Sequence, residues 1–199
     1  MKTRTAATAA ITLTAILTLA GCAGNTDTSS DMTGMDHGST SSSEAATAEA
    51  NEADTMFASM MIEHHSQAID MSDTILSKGG IDERVVSLAG EIKDAQAPEI
   101  QQLESWLEDW GADTSDMGSM DHGAGMMSET DMQALDEATG VEASRLFLEQ
   151  MIEHHRGAID MAQDEVDNGS NPDAVALGQK IMDDQTGEIQ KMEEILASL

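Results

Sequence analysis

The chain has 199 residues, with 38 acidic side chains against nine basic ones and a formal net charge of −29. This charge argues against a nucleic-acid-binding protein, because affinity for phosphate comes largely from Lys and Arg, and it suits a protein that attracts cations. Two Trp, two Phe and no Tyr leave a core of aliphatic residues and Met, which favours helices over sheets and predicts an all-α fold.

Residues 1–21 have the features of a secretory signal peptide. Lys2 and Arg4 give a charged start, and an apolar, Thr-containing run follows. The Leu-Ala-Gly-Cys ending at Cys22 resembles a bacterial lipobox, which implies cleavage before Cys22 and a lipid on its sulfur. We therefore expect an extracytoplasmic protein held at the membrane by a lipid anchor alone. In the alternative, Cys22 is an ordinary residue near a cleavage site. With a single Cys, disulfides and thiolate metal sites within one chain are excluded.

Two polar linkers carry a repeated Met-His motif. Residues 22–52 are rich in Ser, Thr and Gly and predict a flexible segment. A second polar linker is predicted at about residues 111–127. Flexible thioether and imidazole groups could wrap around Cu(I) or Ag(I), although a low-complexity spacer is the alternative. The candidate ligands in the two linkers are Met32, Met35, His37, Met117, Met120 and His122.

From residue 53 onward, apolar residues recur at spacings of three and four, which predicts helices. Asp82 is a plausible N-cap of the second helix and Gly111 its C-cap. Pro172 is favourably placed at the start of the last helix. The predicted helices span about residues 53–78, 82–110, 128–140, 142–167 and 173–197.

The helical region is an internal repeat. Met61-Ile62-Glu63-His64-His65 recurs 90 residues later as Met151-Ile152-Glu153-His154-His155, and residues 91–103 match residues 180–192. Each half is therefore a helical hairpin, and two hairpins predict a four-helix bundle with pseudo-twofold symmetry. Neither hairpin could bury its apolar stripe alone, so residues 53–199 are expected to form one domain.

The histidines of the repeat are predicted to face the core. At 100° per residue, His64 and His65 share the apolar stripe with Met61, and Met151, His154 and His155 repeat this arrangement. Buried imidazoles need partners, and a soft ion such as Cu(I), bound through imidazole and thioether, would be one. The alternative is a Met-rich core with hydrogen-bonded histidines. The neighbours that would bond to the histidines, or orient them around a metal, are Gln96, Glu99, Gln185 and Glu188.

The segment from Phe147 to Ala162 resembles the signature of the domain of unknown function 305 (DUF305) family, and Met60 to Met71 resembles its first-half counterpart. The resemblance covers about residues 53–199. It implies a ferritin-like four-helix bundle in a secreted or lipid-anchored protein. Leu103 stands where the repeat partner has Met192, so the two half-sites need not bind equally. The resemblance implies a copper role for Met61, His64, His65, Met71, Met151, His154, His155 and Met161.

These observations predict an extracytoplasmic copper-binding lipoprotein, not an enzyme, for metal sequestration, resistance or handling. Its expected partners are the metal ion and other copper-handling envelope proteins. One alternative is a metal-free envelope bundle that binds a partner or senses pH. Another is a ferritin-like di-iron oxidase, but such a site needs Glu-x-x-His pairs, and the sequence contains none.

Overall fold

The computed structural model describes residues 49–112 and 125–199. These residues form helices α1 (Glu52–Leu76), α2 (Glu83–Trp110), α3 (Glu129–Glu137), α4 (Gly140–Asn168) and α5 (Pro172–Leu196). The four long helices build a bundle, and short α3 packs on α1 and α4. The predicted all-α, four-helix architecture is confirmed. Among these five helices, none combines the length and the apolar character that a membrane crossing would require.

Local capping chemistry sets the helix boundaries. Asn51 and Asp54 form a capping box at the start of α1, in which each side chain accepts a hydrogen bond from the other's backbone N–H. The Asp82 side chain accepts a hydrogen bond from the Arg84 N–H at the start of α2. Gly111 ends α2 with a φ of 63°, a conformation that glycine adopts without steric cost. The sequence signals at Asp82 and Gly111 therefore mark the ends of α2 correctly.

The α1–α4 pair forms the centre of the bundle, with α2 packed on α1 and α5 packed on α4. The core divides into two apolar clusters. Met61 and Met161 belong to one cluster, and Met71 and Met151 belong to the other. Helices α1 and α4 are therefore antiparallel. In the repeat, Met61 is equivalent to Met151, and Met71 is equivalent to Met161. Each residue of one cluster thus has its equivalent in the other cluster, as expected for a pseudo-twofold axis that relates the two halves.

Residues 125–127, just before α3, contact both α1 and α4. Gly125 has a φ of +87°, and a Cβ there would lie 2.6 Å from the Glu153 carbonyl oxygen and 2.9 Å from the Gly157 Cα. Two residues later, the Met127 N–H donates to Gln67 Oε1 at 2.7 Å. Gln67 Nε2 in turn donates to the Met127 carbonyl at 2.9 Å. These contacts fix residues 125–127 against both α1 and α4.

Gly125→Ala is expected to lower the free energy of unfolding by about 1–2 kcal/mol, because both the positive φ and the α4 backbone oppose a Cβ. Urea denaturation followed by circular dichroism measures the change. Gly90→Ala is the matched control. Its Cβ would meet no atom within 4 Å, so α2 should gain up to about 1 kcal/mol. A Gly125→Ala protein as stable as the parent would show that the close approach to α4 is not maintained.

Candidate metal centre

Four histidines form one buried layer between the two apolar clusters. His64, His65, His154 and His155 are each 0% exposed. The rings of His64 and His154 are in contact, with centroids 3.6 Å apart and planes tilted by 36°. Because these two residues are equivalent in the repeat, their contact lies on the pseudo-twofold axis. The fold therefore brings one imidazole from each half of the chain to the centre of the molecule.

The other two histidines are held by carboxylates from the outer helices. His65 Nε2–H donates to Glu99 Oε2 on α2 at 2.9 Å. His155 Nε2–H donates to Glu188 Oε2 on α5 at 2.6 Å. Because a carboxylate can only accept, Nε2 is assigned as the donor in each ring, and Nδ1 of the neutral His65 ring keeps its lone pair. These contacts join the predicted glutamates to the predicted histidines, whereas their role in metal binding stays a prediction.

Many imidazole nitrogens of this layer lack hydrogen bonds. Within the described residues, neither nitrogen of His64 or His154 has a partner, and neither does Nδ1 of His65 or His155. Most buried polar atoms in proteins do have one. Leaving a buried polar group unsatisfied costs about 1–3 kcal/mol. The layer thus carries an energetic cost that a core built for stability alone would avoid, and its nitrogen lone pairs are suited to a metal ion.

Burial keeps three of these imidazoles, those of His64, His65 and His154, neutral. It lowers the pKa of His64 to about 3 and the pKa of His154 well below its ordinary value. Burial also lowers the pKa of His65, although the hydrogen bond to Glu99 opposes this effect. Burial would raise the pKa of Glu99, but hydrogen bonds from His65 and Lys180 bring it below its ordinary value. At neutral pH the rings are in the form that binds metals, and they need not lose a proton first.

The methionines predicted as ligands lie on both sides of the histidine layer. Met61, Met71 and Met151 are fully buried, and Met161 is 9% exposed. Met71 and Met151 share their cluster with Met192 of α5, a residue that the resemblance did not include among the ligands. At the equivalent place in the other cluster stands Leu103. The asymmetry seen in the sequence is therefore present in the core, and one side of the layer has an additional thioether.

The glutamines of the layer behave differently from the glutamates. Gln96 and Gln185 are each 3% exposed. Neither amide atom of Gln96 has a hydrogen-bond partner within the described residues, and Gln185 Oε1 also has none. Gln96 therefore does not orient an imidazole in this structure, whereas Glu99 and Glu188 each hold one. The sequence spacing predicted that the glutamines and the glutamates face the histidines. It could not show which of them form a hydrogen bond to an imidazole.

Nothing in residues 49–112 and 125–199 brings together three or more His, Cys, Asp or Glu side chains that could hold a metal ion. A carboxylate-bridged di-iron centre needs such a cluster. The described residues instead offer imidazole nitrogen and nearby thioether sulfur, which suit a soft ion. Seven further predicted residues lie outside the described part of the chain, namely Cys22, Met32, Met35, His37, Met117, Met120 and His122.

The fold and the buried layer define a small helical bundle with an imidazole pair on its pseudo-symmetry axis. The family model for the domain of unknown function DUF305 matches residues 54–196, so the chain belongs to the DUF305 family. A DUF305 protein from Streptomyces coelicolor, assigned to the secreted proteins, is 31% identical, with a TM-score of 0.67 over 73% of this chain and 93% of that one. A DUF305 fragment from Deinococcus radiodurans is 31% identical, with a TM-score of 0.65 over 75% and 99%.

Structures of CopM are also similar to this chain. The Cu(I)-bound form is 30% identical, with a TM-score of 0.61 over 73% of this chain and 96% of CopM. The Cu(II)-bound form is 32% identical, with a TM-score of 0.63 over the same shares. CopM has in addition been solved bound to silver. A comparison with curated proteins gave no match.

Proposed function

We propose that this protein is an extracytoplasmic copper-binding protein whose core holds a soft monovalent ion, Cu(I) above all and Ag(I) as well. The observation that carries the proposal is the His64–His154 pair, buried and neutral, with four ring nitrogens that have no hydrogen-bond partner among the described residues. Imidazole nitrogen with thioether sulfur is a ligand set suited to such an ion.

The proposed ligands come from both halves of the repeat. His64 and His154 supply nitrogen from the axis, and His65 and His155 supply further lone pairs at Nδ1. Glu99 and Glu188 fix the orientation of these outer rings. Sulfur comes from Met61 and Met161 on one side and from Met71 and Met151 on the other. Because Met192 adds a thioether to the second side, we propose that this side binds the ion more tightly.

The similar structures of CopM support copper as the bound ion. CopM, about 30% identical over most of this chain, has been solved with Cu(I), Cu(II) and silver. The secreted assignment of the Streptomyces relative supports an extracytoplasmic location. We further propose that residues 1–21 are a signal peptide and that Cys22 carries a lipid anchor. The Met-His motifs of the linkers at residues 22–52 and 111–127 would collect ions for the core.

The proposed role is sequestration, resistance or handling of copper, without catalysis. Ion transfer to other copper-handling proteins of the envelope fits this role. A pH-sensing role for the axial histidine pair is disfavoured, because burial lowers the pKa of His64 to about 3, far below the range in which an envelope protein would sense acidification. The same low pKa favours metal binding, since protons do not compete for the nitrogen.

A Cu(I) competition titration under anaerobic, reducing conditions tests the proposal. The chain starting at Cys22, without its lipid, is compared with the His64→Leu/His154→Leu variant. We expect the variant to lose the core site, with affinity there falling by at least about 100-fold. Met132→Leu/Met182→Leu is the control, because it removes two thioethers that are only partly buried and lie at the edge of the clusters. Equal Cu(I) retention by all three proteins would overturn the core site.

A further inference from the structure

A cavity of about 610 Å³ opens at the end of the bundle where α1 begins and α4 ends. Met56, Phe57 and Met60 line it from α1, and Met161 and Glu165 line it from α4. It lies beside the apolar cluster that contains Met61 and Met161. Two of its methionines, Met56 and Met60, are not among the metal ligands that the sequence predicts.

We propose that this cavity is a second binding site for a soft monovalent cation, Cu(I) or Ag(I), and that an ion loads there before it reaches the His64–His154 pair. The sulfurs of Met56, Met60 and Met161 are the proposed ligands. The inference rests on the proposed function, since it supplies the route to the core site.

Three methionines line the cavity. Met56 and Met60 are one helical turn apart on α1, so their side chains leave the same face. Met161 reaches the same cavity from the antiparallel α4. Three thioethers around one opening suit Cu(I) or Ag(I), and they bind without releasing a proton. A hard divalent ion would need converging carboxylates, and no such group of three occurs in the part of the chain that the structure describes.

The wall of the cavity is acidic and polar. Glu165 is 1% exposed, and its carboxyl oxygens accept no hydrogen bond from an N–H or O–H donor of the described residues. Its carboxyl contacts that of the fully buried Asp54 and keeps its proton at neutral pH, so Glu165 adds polar oxygen rather than charge. The negative charge of the lining comes from Glu52 and Asp164, and the lining contains neither Lys nor Arg. The cavity therefore attracts cations and repels anions.

The residues that build the cavity are not repeated at the other end of the bundle. The positions equivalent to Met56, Met60 and Glu165 at the other end of the bundle are Leu146, Gln150 and Ile75. That end is closed by α3, and Gln150 Nε2 donates to the Asp131 carbonyl at 2.9 Å. Two sulfurs and the carboxyl are thus specific to the end that opens. Ancestral duplication alone does not account for them.

The methionines of the cavity lie on the same helix faces as the core histidines. On α1, Met56, Met60 and His64 follow at intervals of four residues, and on α4, His154 and Met161 are seven residues apart. Each set lies along one face of its helix. The two faces meet where His64 contacts His154. An ion held by these methionines is therefore one to two helical turns, about 6–12 Å, from the core imidazoles along the helices, with Met60 the nearest of its ligands.

Ag(I) titration of the chain starting at Cys22, with isotope-labelled Met methyl groups, tests the site by NMR. We compare the parent with Met56→Leu/Met60→Leu, which keeps every residue of the proposed core site. In the parent, the Met56 and Met60 methyl signals should shift at low Ag(I). The variant should bind one ion fewer and fill the histidine site at least 10-fold more slowly, with unchanged final affinity there. Met132→Leu/Met182→Leu should load like the parent.

The outcomes separate the two proposals. If Met56→Leu/Met60→Leu matches the parent in stoichiometry and loading rate while His64→Leu/His154→Leu loses its core ion, the cavity site is wrong and the core site stands. If His64→Leu/His154→Leu still binds an ion that shifts the Met56 and Met60 signals, the cavity is an independent site, as proposed. A parent protein that binds no Ag(I) overturns both proposals.

Discussion

Replacing His64 and His154 together by Leu is expected to make the metal-free protein more stable by about 1–3 kcal/mol while it removes copper binding in the core. In the parent, four ring nitrogens of these residues are buried without a hydrogen-bond partner among the described residues. Leucine has a similar volume and no polar atom, so the desolvation cost disappears. Urea denaturation in the presence of a strong copper chelator measures the gain.

The control for this experiment is His65→Leu/His155→Leu. These substitutions leave the carboxylates of Glu99 and Glu188 without their imidazole partners, which are 2.9 Å and 2.6 Å away in the parent. We expect this variant to lose stability, because two buried hydrogen bonds between an imidazole and a carboxylate are lost, although Glu99 keeps its ion pair with Lys180. If His64→Leu/His154→Leu is instead destabilised by several kcal/mol, the inner rings are structural, and the metal-free interpretation of the core gains support.

Glu165→Gln is expected to weaken the pH dependence of stability in the metal-free protein. Burial, then the hydrogen bond to Asp54 and its charge, raises the pKa of Glu165 from 4.5 to about 8. Between these pH values the folded chain keeps a proton that the unfolded chain releases, so stability falls as pH rises through this window. A glutamine keeps a donor for Asp54 and does not titrate. The free energy of unfolding of Glu165→Gln, relative to that of the parent, should increase by about 2 kcal/mol from about pH 5 to about pH 8.

The partner of Glu165 stays charged in this window. Burial would raise the pKa of Asp54, but backbone N–H groups, first those of Asn51 and Asn171, bring it below its ordinary value. The Asn51 N–H donates at 2.6 Å and the Asn171 N–H at 2.9 Å. In Asp54→Asn, Glu165 loses its anionic neighbour, so the pH dependence should shrink although the variant is less stable throughout. If the free energy of unfolding changed with pH in the same way in the parent and in Glu165→Gln, the raised pKa of Glu165 would be contradicted.

The Asp54–Glu165 contact explains how the open end of the bundle is held together. Asp54 lies in the first turn of α1, and its carboxylate accepts hydrogen bonds from the N–H groups of Ser170 and Asn171, which connect α4 to α5. Asn51 Nδ2 donates to the Asn168 carbonyl at 2.8 Å across the same junction. These bonds tie both hairpins together beside the proposed loading cavity. These hydrogen bonds would hold the start of α1 and the end of α4 together and so keep Met56, Met60 and Met161 at a fixed spacing.

The sequence by itself determined the helices, the repeat and the face of each helix that turns inward. These follow from local rules, because helical periodicity places His64 and His65 on the apolar stripe and because caps such as Asp82 and Gly111 act within a few residues. The repeat then predicted a pseudo-twofold bundle. It also predicted that Leu103 would make the two halves unequal, and the core contains this asymmetry.

Only the tertiary structure decided which residues meet across the bundle. Periodicity gives the direction of a side chain but not the register between antiparallel helices. The contact of His64 with His154 and the sharing of one cluster by Met61 and Met161 therefore could not be derived from spacing. The cavity at Met56 and Met60 was hidden for the same reason. Its wall comes from residues more than a hundred positions apart, and only the packing of α1 against α4 joins them.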